Sequence, residues 1–141
     1  MTAECPTLTF NTIGRHQSRL VRTRVASNLS PWLAKTEVGD MHTIAISHGE
    51  GRFVASDDVL AQLKANGQIA TQYVDEAGVP GMDLSVNPNG SLLAIEGITS
   101  PDGRVFGKMG HSERYSNGTF KNVPGEKDQP LFAAGVEYFA A

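Results

Sequence analysis

Between two apolar runs, Leu92 to Ile98 and Val105 to Met109, stands the tetrapeptide Ser100-Pro101-Asp102-Gly103. Proline presets one backbone angle and glycine accepts a left-handed one, so Pro-Asp-Gly between apolar segments signals a tight turn. The spacing predicts a β-hairpin, which fixes the direction and pairing of two strands at once. The second strand is expected to end at Gly110, with His111 and Glu113 immediately after it. In extended backbone, residues two apart point to the same side. A carboxylate can then sit beside an imidazole at a strand tip, fixing its tautomer and stabilising its charged form. This is the base and orienter of a catalytic triad. It lacks a nucleophile.

The remaining chain alternates short apolar runs with turn residues. Strands are expected at Thr7–Phe10, Ser18–Ala26, Met41–Ser47, Arg52–Ala55 and Ile69–Val74, each with strand-like alternation or a turn at its end. Asn28 or Ser30 can cap a short helical turn with Pro31 at a favoured first position. Ser56 or Asp57 can cap a helix through Val59, Leu60 and Leu63 that stops near Asn66-Gly67. Asn87-Pro88-Asn89-Gly90 is a dense turn. A sixteen-residue polar loop, Tyr115 to Pro130, is long for a connection and suggests a functional or interface role. Asp128 or Gln129 then precedes a final amphipathic helix carrying Leu131, Phe132, Val136 and Phe139. The result is a strand-rich α/β domain over residues 1–141, with fewer helices than a complete doubly wound sheet needs.

Composition narrows the function classes. A net charge of −3 gives no support for nucleic-acid binding. Arg15, Arg19, Arg22 and Arg24 form a local basic patch, read either as a solvated strand face or as an interface for an anionic ligand. A single cysteine excludes an internal disulfide and fits a reducing compartment. No apolar run is long enough to span a bilayer, and the first residues lack a secretory pattern. A cytoplasmic protein with no membrane partner is expected.

Two His-x-Glu pairs carry the candidate chemistry: His48 with Glu50, and His111 with Glu113. Together they could be halves of a metal site, but metal sites favour more histidines or a cysteine set, so no metal is expected. A Cys-His-Glu triad would need Cys5. The residue after a nucleophilic cysteine normally offers its N–H to the oxyanion, and here it is Pro6, which has none. Glu4 would also raise the thiol pKa, opposite to activation. Cys5 is a bystander by this reading. The Ser47-His48-Gly49-Glu50-Gly51-Arg52-Phe53 loop, with glycines around a charged residue after a strand, marks backbone approached closely by something.

Four motifs then occur in order: Ser47 to Phe53; Gln68-Ile69-Ala70 with Tyr73-Val74-Asp75; Asn87-Pro88-Asn89-Gly90-Ser91; and Gly97-Ile98-Thr99-Ser100-Pro101-Asp102-Gly103-Arg104-Val105. Together they closely resemble the glutaminase domains of the phosphoribosylformylglycinamidine synthases, most of all the large single-chain form in which glutaminase comes last. The resemblance covers nearly the whole chain. It implies a class I glutamine amidotransferase domain, flavodoxin-like, of which this chain has the C-terminal part without the N-terminal strands and nucleophile elbow. Met1 would then be an internal methionine of a longer enzyme.

The resemblance implies that His111 and Glu113 are the catalytic histidine and its carboxylate partner. The family motif commonly reads Pro-His-Pro-Glu, whereas here it is Gly110-His111-Ser112-Glu113, and losing both prolines could loosen the turn. Ser47, His48 and Gly49 match the segment that lines the glutamine pocket, largely through backbone groups. The implied partners are glutamine and a synthetase domain of the same enzyme. The implied overall reaction is conversion of formylglycinamide ribonucleotide to its amidine in purine synthesis. ATP and magnesium would serve the synthetase part, and this part would need no cofactor. Without the nucleophile it should not hydrolyse glutamine by itself, and open apolar sheet edges should lead either to self-association or to a rearranged fold. The alternative is a stand-alone, non-catalytic binding module that uses the Ser47 to Phe53 loop for a ligand.

Overall fold

A computed structural model describes residues 5–140. Its elements in chain order are β1 (Thr7–Thr9), β2 (Gln17–Val25), a 3₁₀ turn (Pro31–Leu33), β3 (Met41–His48), β4 (Arg52–Val54) and α1 (Asp57–Ala65). There follow β5 (Ile69–Tyr73), a 3₁₀ turn (Leu92–Ala94), β6 (Ile95–Thr99), β7 (Phe106–Lys108), a 3₁₀ turn (Ser112–Arg114) and α2 (Leu131–Phe139). β1 pairs with β4, and a five-stranded sheet has the order β3-β2-β5-β6-β7. Every pairing among these strands is antiparallel. The parallel central strands expected of a flavodoxin-like sheet are not among the described residues.

Local chemistry explains most boundaries. Ser56 caps α1 by accepting from the Val59 N–H, two aspartates occupy the first turn and Lys64 the last, all favourable to the helix dipole. Ser30 accepts from the Trp32 N–H at the start of the Pro31 turn. Alternate residues of β5 feed opposite faces of the sheet, as strand geometry requires. Ile69 joins Phe53, Leu60, Leu63 and Ile95 under α1. Ala70 joins Val25, Leu33 and Leu131 under α2. A third cluster, Val21, Ile46, Tyr73 and Ala94, fills the middle of the sheet.

The sheet curls until its ends approach. Beyond β7, Gly110 bridges back to Ile46 on β3, and the His111 N–H donates to the Ala45 carbonyl at 2.8 Å. The long loop closes over the same strand: the Thr43 N–H donates to the Glu126 carbonyl at 2.6 Å, and the Thr43 hydroxyl to the Pro124 carbonyl at 3.2 Å. The outer edge of β3 is therefore occupied along part of its length by the chain that follows β7. Glycine at 110 makes this closure possible, since a Cβ there would meet Ile44 Cγ2 at 2.7 Å and Glu96 Oε1 at 2.8 Å.

Candidate functional site

His111 leaves the seam between β7 and β3 as the residue that precedes the Ser112–Arg114 turn. Its Nδ1 lies 2.6 Å from Oε1 of Glu113. The two do not meet as same-side residues of an extended strand. The backbone turns after His111, and the carboxylate reaches back across a single 3₁₀ turn. Partial burial pushes the Glu113 carboxyl up, but its own backbone N–H and the His111 ring outweigh this and leave it below the usual carboxylate value. With Nδ1 taken by Glu113, Nε2 is the nitrogen left for proton exchange.

A cleft of about 420 Å³ opens beside this pair, walled by Trp32, Phe106, Met109, Leu131 and Phe132. Lys108 and Ser112 also face it. Apolar walls around one imidazole lower the local dielectric and strengthen the hydrogen bonds made there. Cys5 lines a different cleft, with Val59, Leu63, Ile98 and Val105. His111 is not among the residues that line the cleft of the chain's thiol.

Ser47 and His48 end β3, on the strand that the Gly110-His111 segment joins, and Gly49 begins the turn after it. His48 lies on β3 two residues beyond Ile46, to which Gly110 bridges. Its Nδ1 is 3.2 Å from Oδ1 of Asn11. That oxygen also accepts the Gly51 N–H at 2.9 Å, while the Asn11 amide nitrogen donates to the carbonyls of His48 and Arg15. Asn11 Oδ1 is thus an acceptor, His48 carries its proton on Nδ1, and its buried Nε2 has no hydrogen-bond partner among the described residues. Burial, the larger effect, pushes His48 below the ordinary imidazole value, and the neighbouring His16 and His111 add to it. Gly51 lies so near the ring that a Cβ there would be 2.2 Å from it.

The loop is held from a second side. Asn89 donates to the Gly51 carbonyl at 3.1 Å and to the Tyr73 hydroxyl at 2.7 Å. Ser91 donates to the same Gly51 carbonyl and accepts the Phe53 N–H. Asn87, Asn89 and Ser91 are all fully buried. The dense turn at residues 87–90 is therefore the anchor of the Ser47 to Phe53 loop, a role that breaker residues alone do not disclose. Asn11 is equally hidden in the sequence, as one asparagine in a polar connection.

Other expectations resolve differently. The arginine patch is largely spent on bracing the segment after β5: Arg22 pairs with Glu76 at 3.1 Å, Arg19 donates to the Ser85 carbonyl and Arg24 to the Gly78 carbonyl. Gln129 precedes α2 as expected, with Pro130 between it and the first helical residue and no side-chain cap on the helix. The Gln129 Oε1 instead accepts from Lys108 at 2.6 Å and from Ser112 at 2.6 Å. The glycine and serine around His111 do not leave a loose turn, because the Gly110 N–H donates to buried Glu96 at 2.5 Å and Ser112 joins that same Lys108–Gln129 cluster. Among the described residues no three His, Cys, Asp or Glu side chains are grouped to hold a metal ion. No helix there is long and apolar enough to cross a membrane.

Comparison with known proteins fits this geometry. Residues 1–139 match the model of a CobB/CobQ-like glutamine amidotransferase domain. Phosphoribosylformylglycinamidine synthase subunit PurQ of Methanosarcina mazei is 35% identical over 131 residues, covering 93% of this chain and 54% of the relative. The same subunit of Aquifex aeolicus is 39% identical over 102 residues, covering 72% of this chain and 44% of the relative. A chain from the structure of PurLQS from Thermotoga maritima superposes with a TM-score of 0.69 at 29% identity, over 96% of this chain and 53% of that one. The chain spans about half the length of these relatives. The motifs alone point to the single-chain form; these curated relatives carry the name of a separate subunit.

Proposed function

Because this chain belongs to the family of CobB/CobQ-like glutamine amidotransferase domains, we propose that it supplies the acid/base half of a glutaminase serving phosphoribosylformylglycinamidine synthesis. The observation that carries the proposal is the His111–Glu113 pair, held at the sheet seam beside an apolar-walled cleft. In the reaction, a cysteine thiolate attacks the side-chain amide carbon of glutamine. His111 Nε2 donates its proton to the departing ammonia, and a thioester remains. Water then attacks that thioester; His111 takes a proton from the water, and glutamate leaves as the thiolate is regenerated. Glu113 holds the ring in the tautomer that exposes Nε2 and stabilises the imidazolium between these steps.

Ser47, His48 and Gly49 form one wall of the glutamine pocket under this proposal, with Asn11, Asn89 and Ser91 fixing the wall's backbone. The thiolate comes from outside the described residues, since Cys5 opens onto another cleft and precedes a proline. The chain by itself is then a glutaminase without its nucleophile. A synthetase partner would use the ammonia with ATP and magnesium to form the amidine of formylglycinamide ribonucleotide.

The test joins this chain to the cysteine-bearing segment of a relative and measures ammonia released from glutamine. Loss of release in His111→Ala, with glutamine binding retained, is the expected result. Full activity in that variant would remove the basis of the proposal.

A further inference from the structure

The backbone that carries His111 is tethered on both sides by charged side chains outside the acid/base pair. Glu96, on β6, is buried, with 3% of its surface exposed. Its Oε2 accepts from the Thr71 hydroxyl at 2.5 Å and its Oε1 from the Gly110 N–H at 2.5 Å. Lys108, on β7, donates to the Ser112 hydroxyl at 2.8 Å and to Gln129 Oε1 at 2.6 Å, with its ammonium 4.0 Å from Glu96. The Ser112 hydroxyl donates in turn to Gln129. Gly110 is thus fixed by Glu96, and Ser112 by Lys108 and Gln129. These are the residues immediately before and after His111.

Stability alone is a poor reason for this arrangement. A buried ion pair is commonly no better than well-packed apolar side chains of similar size, because both charges must leave water. Such a pair fixes geometry instead, since each hydrogen bond has one acceptable direction. Glycine restrains the backbone least of all residues. At 110 the direction of the chain into His111 therefore depends on hydrogen bonds, those of the bridge to β3 and the one to Glu96. Neither charged side chain bonds to the His111 ring. Their effect passes through the two flanking residues.

We infer that Glu96 and Lys108 are positioning residues for His111, a charged brace that aims the imidazole by holding Gly110 and Ser112. This inference rests on the acid/base reading of His111. It adds a role for the buried pair, and for Gln129 at the end of the long loop. The segment from residue 115 to residue 130 thereby becomes a strut for the site, its last polar side chain closing the cluster that fixes Ser112.

Two measurements test it. In the chain itself, the Nδ1 proton that His111 shares with Glu113 is followed by nitrogen-edited NMR in Ser112→Ala, Glu96→Gln and Lys108→Met. Ser112→Ala removes one half-buried hydroxyl, so it keeps the test open should either charge variant fail to fold. The expected result is exchange of that proton with water at least about 10-fold faster in each folded variant, as a held geometry becomes a mobile one. In the chain joined to the cysteine-bearing segment, Lys108→Met should lower kcat by about 100-fold and leave KM within about twofold, the pattern of a misaimed catalytic group. Unchanged exchange in folded Ser112→Ala and Glu96→Gln would overturn the inference and leave the acid/base reading standing. A glutaminase indifferent to His111→Ala would overturn that reading, and with it the catalytic meaning of the brace.

Discussion

Nδ1 of His111 and Oε1 of Glu113 are 2.6 Å apart across one 3₁₀ turn, with the imidazole 30% exposed and the carboxylate 56% exposed. A contact this short between groups this open is set by local backbone and not by burial. Replacing Glu113 by glutamine keeps the shape and removes the charge. Glutaminase turnover in the cysteine-completed enzyme should fall by roughly 10²- to 10⁴-fold, as when the orienting acid of a triad is neutralised. Stability should change by no more than about 0.5 kcal/mol, since the side chain is at the surface. Parallel kinetics and denaturant melts separate the two.

Gly110 is where the curled sheet closes, and a methyl group there would press on Ile44 and Glu96. Gly110→Ala should therefore destabilise the fold by about 1–3 kcal/mol, the usual cost of overpacking. Gly107, with open space around its Cβ position, is the matched control and should tolerate alanine with little loss. Urea unfolding of the two variants makes the comparison. Equal midpoints would contradict a closure that depends on glycine at 110.

Acid should weaken the protein earlier than its carboxylates alone would dictate. Burial, the largest influence on each, pushes both His42 and His48 below the ordinary imidazole value of 6.5. For His42, Asp40, Glu126 and Asp128 pull the other way without cancelling burial, and Lys108 adds to it. In the unfolded chain each ring takes up its proton near the ordinary value, whereas in the folded chain uptake waits for lower pH. Across that interval the unfolded state holds more protons, so stability falls as pH drops below about 6.5. Thermal melts of the protein and of His42→Gln between about pH 7 and about pH 5 check this. The variant should show the shallower decline.

Asn11 makes the backbone of the Ser47 to Phe53 loop what it is, accepting from Gly51 and donating to the His48 carbonyl. Asn11→Ala leaves these buried groups unpaired, at a cost of about 1–3 kcal/mol. In the cysteine-completed enzyme it should raise KM for glutamine more than it lowers kcat, because it loosens a binding wall and not the acid/base. A change confined to kcat would place the loop outside the glutamine pocket.

Much of the fold is legible in the amino-acid sequence. The Pro101-Asp102-Gly103 turn signals its hairpin, and Ser30, Ser56 and Gly67 mark helix limits close to those expected, because capping and turn chemistry act over three or four residues. The family motifs likewise put His111 beside Glu113, although the extended-strand geometry expected for that contact gives way to a 3₁₀ turn. What stays hidden depends on long-range contacts. Glu96 reads as one polar residue in an apolar strand until Gly110 and Lys108 are brought to it. Gln129 reads only as a polar residue ahead of the last helix until β7 presents an ammonium. The curling of the sheet, which carries Gly110 back to Ile46, joins residues far apart in the chain, and glycine at 110 permits the closure without announcing it.

One proposal underlies these predictions: this chain holds the acid/base and one pocket wall of a glutaminase whose nucleophile lies elsewhere. The decisive measurement is ammonia release from glutamine, made on the chain alone and on the chain joined to the cysteine-bearing segment of a relative. No release above the uncatalysed rate is expected from the chain alone, and the joined form should release ammonia that His111→Ala abolishes. Glutamine hydrolysis by the chain alone would contradict the proposal, and would make Cys5 or another group of this chain the nucleophile.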